Sequence, residues 1–255
     1  MAGSTIVGVR VRHADVLREV GARAFANRIT GTTIMRAWRR AKLVVLDLSS
    51  GDRLVIQPRF TGAMLIDASD DERRYVTVTF ALDDGRELQY RDIRRLGTLS
   101  LMTPKRFEAY VGALGIEPLD SAFTSNHLSQ LLARSRQAVK KVLMDQRLVA
   151  GIGNIYANEA LWRAGIDPSR EAKGVSPTEA GTLREAIVDV LTEAIAARGT
   201  SFRDYRDAKG ERGSFAAQLA AYGRGGRPCG RCGARLVETH AVDGRTTVFC
   251  AYCQR

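Results

Sequence analysis

Over the first hundred residues, apolar side chains recur at every second position. STIVGVRVR, AKLVVLDL, DRLVIQ, YVTVTFAL and RELQYRD carry the pattern, and SSGD, ASDDE and DDG interrupt it. A period of two marks strands with one buried face, and strands of this length and spacing predict a sandwich or barrel of antiparallel strands. In the first strand the alternation puts Val7, Val9 and Val11 on one face and Ile6, Gly8, Arg10 and Arg12 on the other.

The period changes at Thr103. TPKRFEAYVGALG offers Thr103 as N-cap, Pro104 at the first helical position, and Phe107, Tyr110, Val111 and Leu114 at helical spacing before Gly115. The clearest helix is SPTEAGTLREAIVDVLTEAIAARG. Ser176 and Glu179 form a capping box, Pro177 opens the helix, and Leu183, Ile187, Val190, Leu191 and Ile195 make its buried stripe up to Gly199. From about Tyr222 the chain turns glycine- and arginine-rich and then holds its cysteines. The reading is an α+β multidomain protein: a β domain over 1–102, a helical domain over 103–221 and a small metal module over 222–255.

Charge narrows the partner. Thirty-nine Lys+Arg against 28 Asp+Glu give a net +11, which favours a polyanion, nucleic acid before anionic membrane. Without an apolar run of membrane-spanning length or a secretory signal, the chain reads as cytoplasmic and nucleoid-associated, with no membrane partner.

Cys229-x-x-Cys232 and Cys250-x-x-Cys253 have the spacing of a two-knuckle zinc site in a reducing compartment, against a disulfide pair or a redox dithiol. Four thiolates close the tetrahedron and leave no position for water, so one structural Zn2+ is expected. Between the pairs, THAVDGRTTVF reads as a β-hairpin carrying Arg245, with Arg224, Arg227, Arg231 and Arg235 nearby.

KKVLMDQRLVAGIGNIYANEALWRAGIDP, residues 140–168, puts helices around 139–144 and 155–164 on either side of a loop with Gly151 and Gly153. Asn154 would open the second helix, where side chain and backbone N–H groups can hold a phosphate, or where the asparagine simply caps an ordinary helical hairpin. This stretch resembles the helix-two-turns-helix of formamidopyrimidine-DNA glycosylases and endonuclease VIII-like enzymes. RRAKLVVLDL around Lys42, YRDIRRLG around Arg94, RGTSFRDY and the cysteine ribbon with Arg245 resemble the same family, in order along nearly the whole chain.

The resemblance implies a base-excision-repair DNA glycosylase with AP lyase activity, acting as a monomer on duplex DNA that contains damaged bases or abasic sites. It places Lys42 and Arg245 at the catalytic pocket and Asn154, Lys140 and Arg245 on phosphates. Phe60, Arg94 and Leu96 take the positions that fill the space left by an extruded nucleotide. The commoner pattern has Met for Phe60, Phe for Leu96 and Pro for Ile93. Arg134 or Arg136 stands in for a basic position occupied here by Ser135. Residues 199–205 are expected to close over the extruded base.

Family members begin Met-Pro-Glu, and the exposed proline amine attacks the sugar C1′ to form a Schiff base. This chain opens on MAGSTIVGVRV, which aligns with the first strand. Three readings stand: an active glycosylase whose start is assigned internally, a catalytically inactive damage-binding relative, or replacement of the amine by Lys42. Outside the family, a basic scaffold with a zinc ribbon is the alternative, and it should show no preference for abasic over intact duplex.

Overall fold

The computed structural model describes residues 1–201 and 213–255. By contact density the chain divides into two compact units: residues 1–112 with 200–213, and residues 113–199 with 214–255.

The first unit is a sandwich of two sheets. Strands β1 (Ile6–Val11), β2 (Leu17–Arg18), β3 (Ile34–Arg40), β4 (Leu43–Leu48), β5 (Arg53–Gln57), β6 (Gly62–Ile66), β7 (Val76–Leu82), β8 (Glu87–Asp92) and β9 (Thr98–Met102) build it. One sheet runs β1-β7-β8-β6 and the other β2-β9-β5-β4-β3, antiparallel except for the β2–β9 pair. Helix α1 (Ala22–Ile29) contributes Phe25 and Ile29 to a core shared by Ile6, Val78, Phe80 and Leu82 of one sheet and Ile34, Leu46, Leu54 and Ile56 of the other. A short helix α2 (Asp70–Arg73) and helix α3 (Pro104–Gly112) complete the unit. Phe107 of α3 sets its ring edge-on against Trp38, and the Arg53 guanidinium covers it at 4.5 Å.

The alternation in β1 is broken. Ile6 pairs with Leu82 and Gly8 with Ala81, a bulge that turns Val7 out to solvent and puts Ile6 into the core. The face expected from strict alternation is therefore wrong at its first residue.

The second unit contains α4 (Ser125–Ala133), α5 (Val139–Met144), α6 (Asn154–Ala164) and α7 (Pro177–Ala196), followed by the hairpin of β10 (Val237–Thr239) and β11 (Thr247–Phe249). The capping box at Ser176 and Glu179 forms as the sequence predicts. Leu183, Ile187 and Val190 are buried and Leu191 partly so, but Ile195 is 62% exposed, because the last turn of α7 buries Ala194 instead. Among the described residues, no helix is long and apolar enough to cross a membrane.

Candidate nucleic-acid interface

The loop between α5 and α6 is wound around one side chain. Gln146 Nε2 donates to the carbonyls of Met144 (2.8 Å) and Ile152 (2.9 Å), and its Oε1 accepts from Gly151 N (2.9 Å). Gly151 takes a φ of +101°, which a side chain would disfavour. Close approach to Gly115 constrains the same loop, since a Cβ there would lie 2.2 Å from the Leu148 carbonyl. The fold thereby delivers Asn154 to the first turn of α6. The N-cap is Gly153, so no side chain caps that turn, and no acidic residue occupies it. The positive end of the helix dipole is met by no carboxylate of its own first turn.

Asn154 is joined there by residues from far along the chain. Its Nδ2 donates to the Thr246 carbonyl at 2.9 Å, beside Arg245 in the turn between β10 and β11. The same carbonyl accepts from Lys140 Nζ at 2.9 Å, and Lys140 also donates to Thr247 Oγ1 at 2.8 Å. Asn158 completes the clamp: its Oδ1 accepts from Val248 N at 2.7 Å, and its Nδ2 donates to Asn154 O at 2.7 Å. Asp243 and Gly244 shape the turn with φ of +58° and +64°. Arg245 is exposed, 3.6 Å from Asp243 Oδ2.

Lys140, expected on a phosphate, is 0% exposed. Burial, helped by the Arg245 guanidinium and opposed by Asp243, holds its ammonium down to about 8. Its side chain reaches the hairpin rather than the surface. Arg134, at the C-cap of α4, and Arg136 are exposed.

The four cysteine sulfurs lie within 4.8 Å of one another, and Cys232 and Cys250 sulfurs are 3.5 Å apart. A tetrahedron with metal–sulfur bonds of about 2.3 Å needs sulfurs roughly 3.8 Å apart, so the cluster fits one ion. The surroundings suit a thiolate at Cys229, whereas the Cys232 sulfur beside it, with burial, pushes the Cys253 thiol up. Burial raises the Cys229 thiol, but the backbone N–H groups of Arg231 and Cys232 and the indole N–H of Trp162 act the other way and bring it to about 6. Trp162 Nε1 is buried and meets no oxygen or nitrogen acceptor, which leaves its dipole for the sulfur. Arg231 stacks on the Trp162 ring at 4.3 Å, and Gln254 ties Cys250 N to the Ile166 carbonyl.

In the first unit, Phe60 stands 70% exposed and Leu96 41% exposed. The Arg94 guanidinium lies 5.5 Å from the centre of the Phe60 ring, so the two loops meet at their tips. Lys42 is exposed in the two-residue turn between β3 and β4, where Ala41 adopts a φ of +51°. Of residues 199–205, those from 202 onward lie outside the described residues.

Four polar residues central to this geometry lie inside YRDIRRLG and the 140–168 stretch, yet the sequence pattern assigns them no role: Asp92, Gln146, Asn158 and Glu159. Glu159 is buried in α6, and its carboxylate accepts from the backbone N–H groups of Ala220 (2.8 Å), Ala221 (2.9 Å) and Tyr222 (2.7 Å), fixing the chain that leads into the ribbon. NIYANE places Asn158 and Glu159 one turn beyond Asn154, and that offset was the available signal.

Comparison with known proteins agrees with this arrangement. A family model described as the formamidopyrimidine-DNA glycosylase N-terminal domain matches residues 1–99, and one described as the formamidopyrimidine-DNA glycosylase H2TH domain matches residues 114–206. The formamidopyrimidine-DNA glycosylase of Desulfitobacterium hafniense (strain DSM 10664 / DCB-2) is 44% identical over 249 residues, covering 96% of this chain and 90% of that protein. That of Desulforamulus reducens is 38% identical, covering 100% and 93%. A complex between Lactococcus lactis Fpg and DNA containing an abasic site superposes with a TM-score of 0.91 at 30% identity, covering 100% of this chain and 94% of the other. The MutM (Fpg) protein of Thermus thermophilus gives 0.87 at 34%, with 100% and 92% covered.

Proposed function

The chain belongs to the formamidopyrimidine-DNA glycosylase family, and on that premise we propose that it releases damaged bases from duplex DNA and cleaves the resulting abasic site. The observation that carries the reading is the convergence at Thr246. Asn154 on α6 and the turn bearing Arg245 are 92 residues apart in sequence and share one hydrogen bond. An uncapped helix start beside an exposed guanidinium is a site for a DNA phosphate. Phe60, Arg94 and Leu96 are the groups to occupy the stack when the damaged nucleotide leaves it. Lys42, exposed in the β3–β4 turn, is the further residue assigned to the catalytic chemistry, and Arg134 and Arg136 supply further positive charge to the DNA.

Cys229, Cys232, Cys250 and Cys253 would hold one Zn2+, which supplies structure and no open position for chemistry. The ribbon's own residues then keep the Arg245 turn rigid. A DNA-bound life in the cytoplasm follows from the same reading.

Borohydride trapping on abasic-site duplex tests it. A covalent protein–DNA adduct, with the attacking residue located by mass spectrometry, and release of an oxidised base support the enzyme. Tight binding to abasic duplex without adduct or base release overturns it in favour of a damage-binding relative. An adduct at Lys42 would identify that lysine as the nucleophile.

Arg245→Ala is expected to weaken binding to damaged and undamaged duplex alike. It should also flatten the dependence of log K on log salt by about one unit, the signature of one lost phosphate contact. Titrations over a salt series check this, and an unchanged slope would remove Arg245 from the interface.

A further inference from the structure

Phe60 and Leu96 are presented by separate loops, residues 58–61 before β6 and residues 93–97 after β8. Each loop also contains an arginine in the left-handed region, Arg59 at φ +54° and Arg95 at φ +51°, directly beside an exposed apolar side chain. Isolated, such turns would exchange among conformers, because a non-glycine residue disfavours that region. Something must hold both.

The group that reaches both is Asp92, at the end of β8 and 2% exposed. Its Oδ1 accepts from the Thr61 hydroxyl at 2.5 Å and from Arg94 N at 3.3 Å. Its Oδ2 accepts from Gly97 N at 2.8 Å and from the Tyr90 hydroxyl at 3.3 Å. One carboxylate therefore spans the first loop at Thr61 and the second at both ends. Two further bonds tighten the link: Arg94 N donates to Thr61 Oγ1 at 3.1 Å, and Arg91 Nη1 donates to the Thr61 carbonyl at 2.9 Å. The packing leaves no slack. A Cβ on Gly97 would lie 1.9 Å from the Tyr90 hydroxyl, and one on Gly62 would lie 2.4 Å from that hydroxyl and from the Pro58 carbonyl. The buried Tyr90 hydroxyl is the post around which both loops close.

We infer that Asp92 is a positioning residue that locks the Phe60 loop and the Arg94–Leu96 loop into a single wedge, and so governs how the protein discriminates a gap in the base stack from intact duplex. The inference rests on the DNA reading above. It concerns recognition, not the covalent step, and Asp92 itself touches no DNA.

Asp92→Asn keeps the shape and replaces one acceptor by an NH2 group that faces donors. The test compares binding to a duplex with a tetrahydrofuran abasic analogue and to the same duplex intact, with 2-aminopurine placed opposite the analogue to report displacement of the facing base. Wild type is expected to prefer the abasic duplex and to raise the fluorescence. Asp92→Asn is expected to lose about tenfold in affinity for the abasic duplex, about 1.4 kcal/mol, with intact-duplex binding unchanged, and to lose the fluorescence rise at saturation. A fold defect alone would weaken both duplexes together, and that result overturns the inference. So does a variant that discriminates as wild type does. If wild type shows no preference, the DNA reading falls and takes the inference with it. Should Asp92→Asn fail to fold, Thr61→Val removes one donor to the same carboxylate. It must reduce the preference for abasic duplex by about threefold, the order expected for one lost hydrogen bond; no reduction overturns the inference.

Discussion

Cys250→Ser is expected to lose metal and duplex binding together. The ribbon has little else to hold it. Its buried cluster comprises Ala221, Cys229, Leu236, Val248 and Cys250, so two of its five members belong to the four-cysteine group that would hold the ion, and β10 and β11 are three residues each. The polar clamp from α5 and α6 competes with unfolding. The five bonds between Lys140, Asn154 and Asn158 and the hairpin contribute on the order of 1 kcal/mol each, somewhat more where the ammonium donates. Ion binding at structural zinc sites is worth about 10–16 kcal/mol, so an ion held by the four cysteines would dominate the ribbon's folding. Without it the turn that carries Arg245 has no fixed position relative to Asn154. Metal content by atomic emission should fall from equimolar to background, and duplex affinity by about 100-fold, near 2.7 kcal/mol. Trp162 packs on the ribbon cluster while Trp38 belongs to the other unit, so chelation should change Trp162 emission alone. Metal-free protein that binds duplex with wild-type affinity would falsify the link between ribbon and grip.

The parts of this design that were legible in the sequence are those whose physics is local. The cysteine pairs announce themselves because each knuckle needs two thiolates three residues apart. The cap of α7 is readable because Ser176 and Glu179 satisfy each other within one turn. Asn154 was placed correctly because Gly153 and the helical period beyond it define the helix start. Where partners are distant, the sequence misleads. Lys140 sits in KKVLMD like any surface lysine, and only a hairpin over a hundred residues later covers it. Asp92 closes a strand that reads as half-solvated, yet Thr61, from which it accepts its shortest bond, is 31 residues back. The helix ARAFANRI was missed because two apolar residues, Phe25 and Ile29, are all that it buries. The β1 bulge is equally silent, since inserting one residue changes a face without changing composition.

Lys140→Met separates two roles that the sequence alone cannot distinguish. A lysine on a phosphate would, when replaced, flatten the salt dependence of DNA binding by about one unit. A buried lysine acting through the hairpin should leave that slope unchanged and lower affinity for every duplex by about tenfold, since the Arg245 turn loses two of its hydrogen bonds. Stability supplies an independent readout. The ammonium titrates at about 8 in the native protein against an ordinary value of 10.5, so between those pH values the unfolded chain binds more protons than the folded one. Unfolding is therefore opposed increasingly as pH rises: the contribution is fully present above 10.5 and lost as pH falls through 8. The wild-type stability, measured relative to Lys140→Met by urea unfolding followed at Trp162, should rise by about 3 kcal/mol across that window and stay flat below it. Other titrating groups are common to both proteins and cancel in the difference. A flat difference curve with a reduced salt slope would return Lys140 to the DNA surface. The expected pair of results makes it the internal post on which the Arg245 turn is mounted.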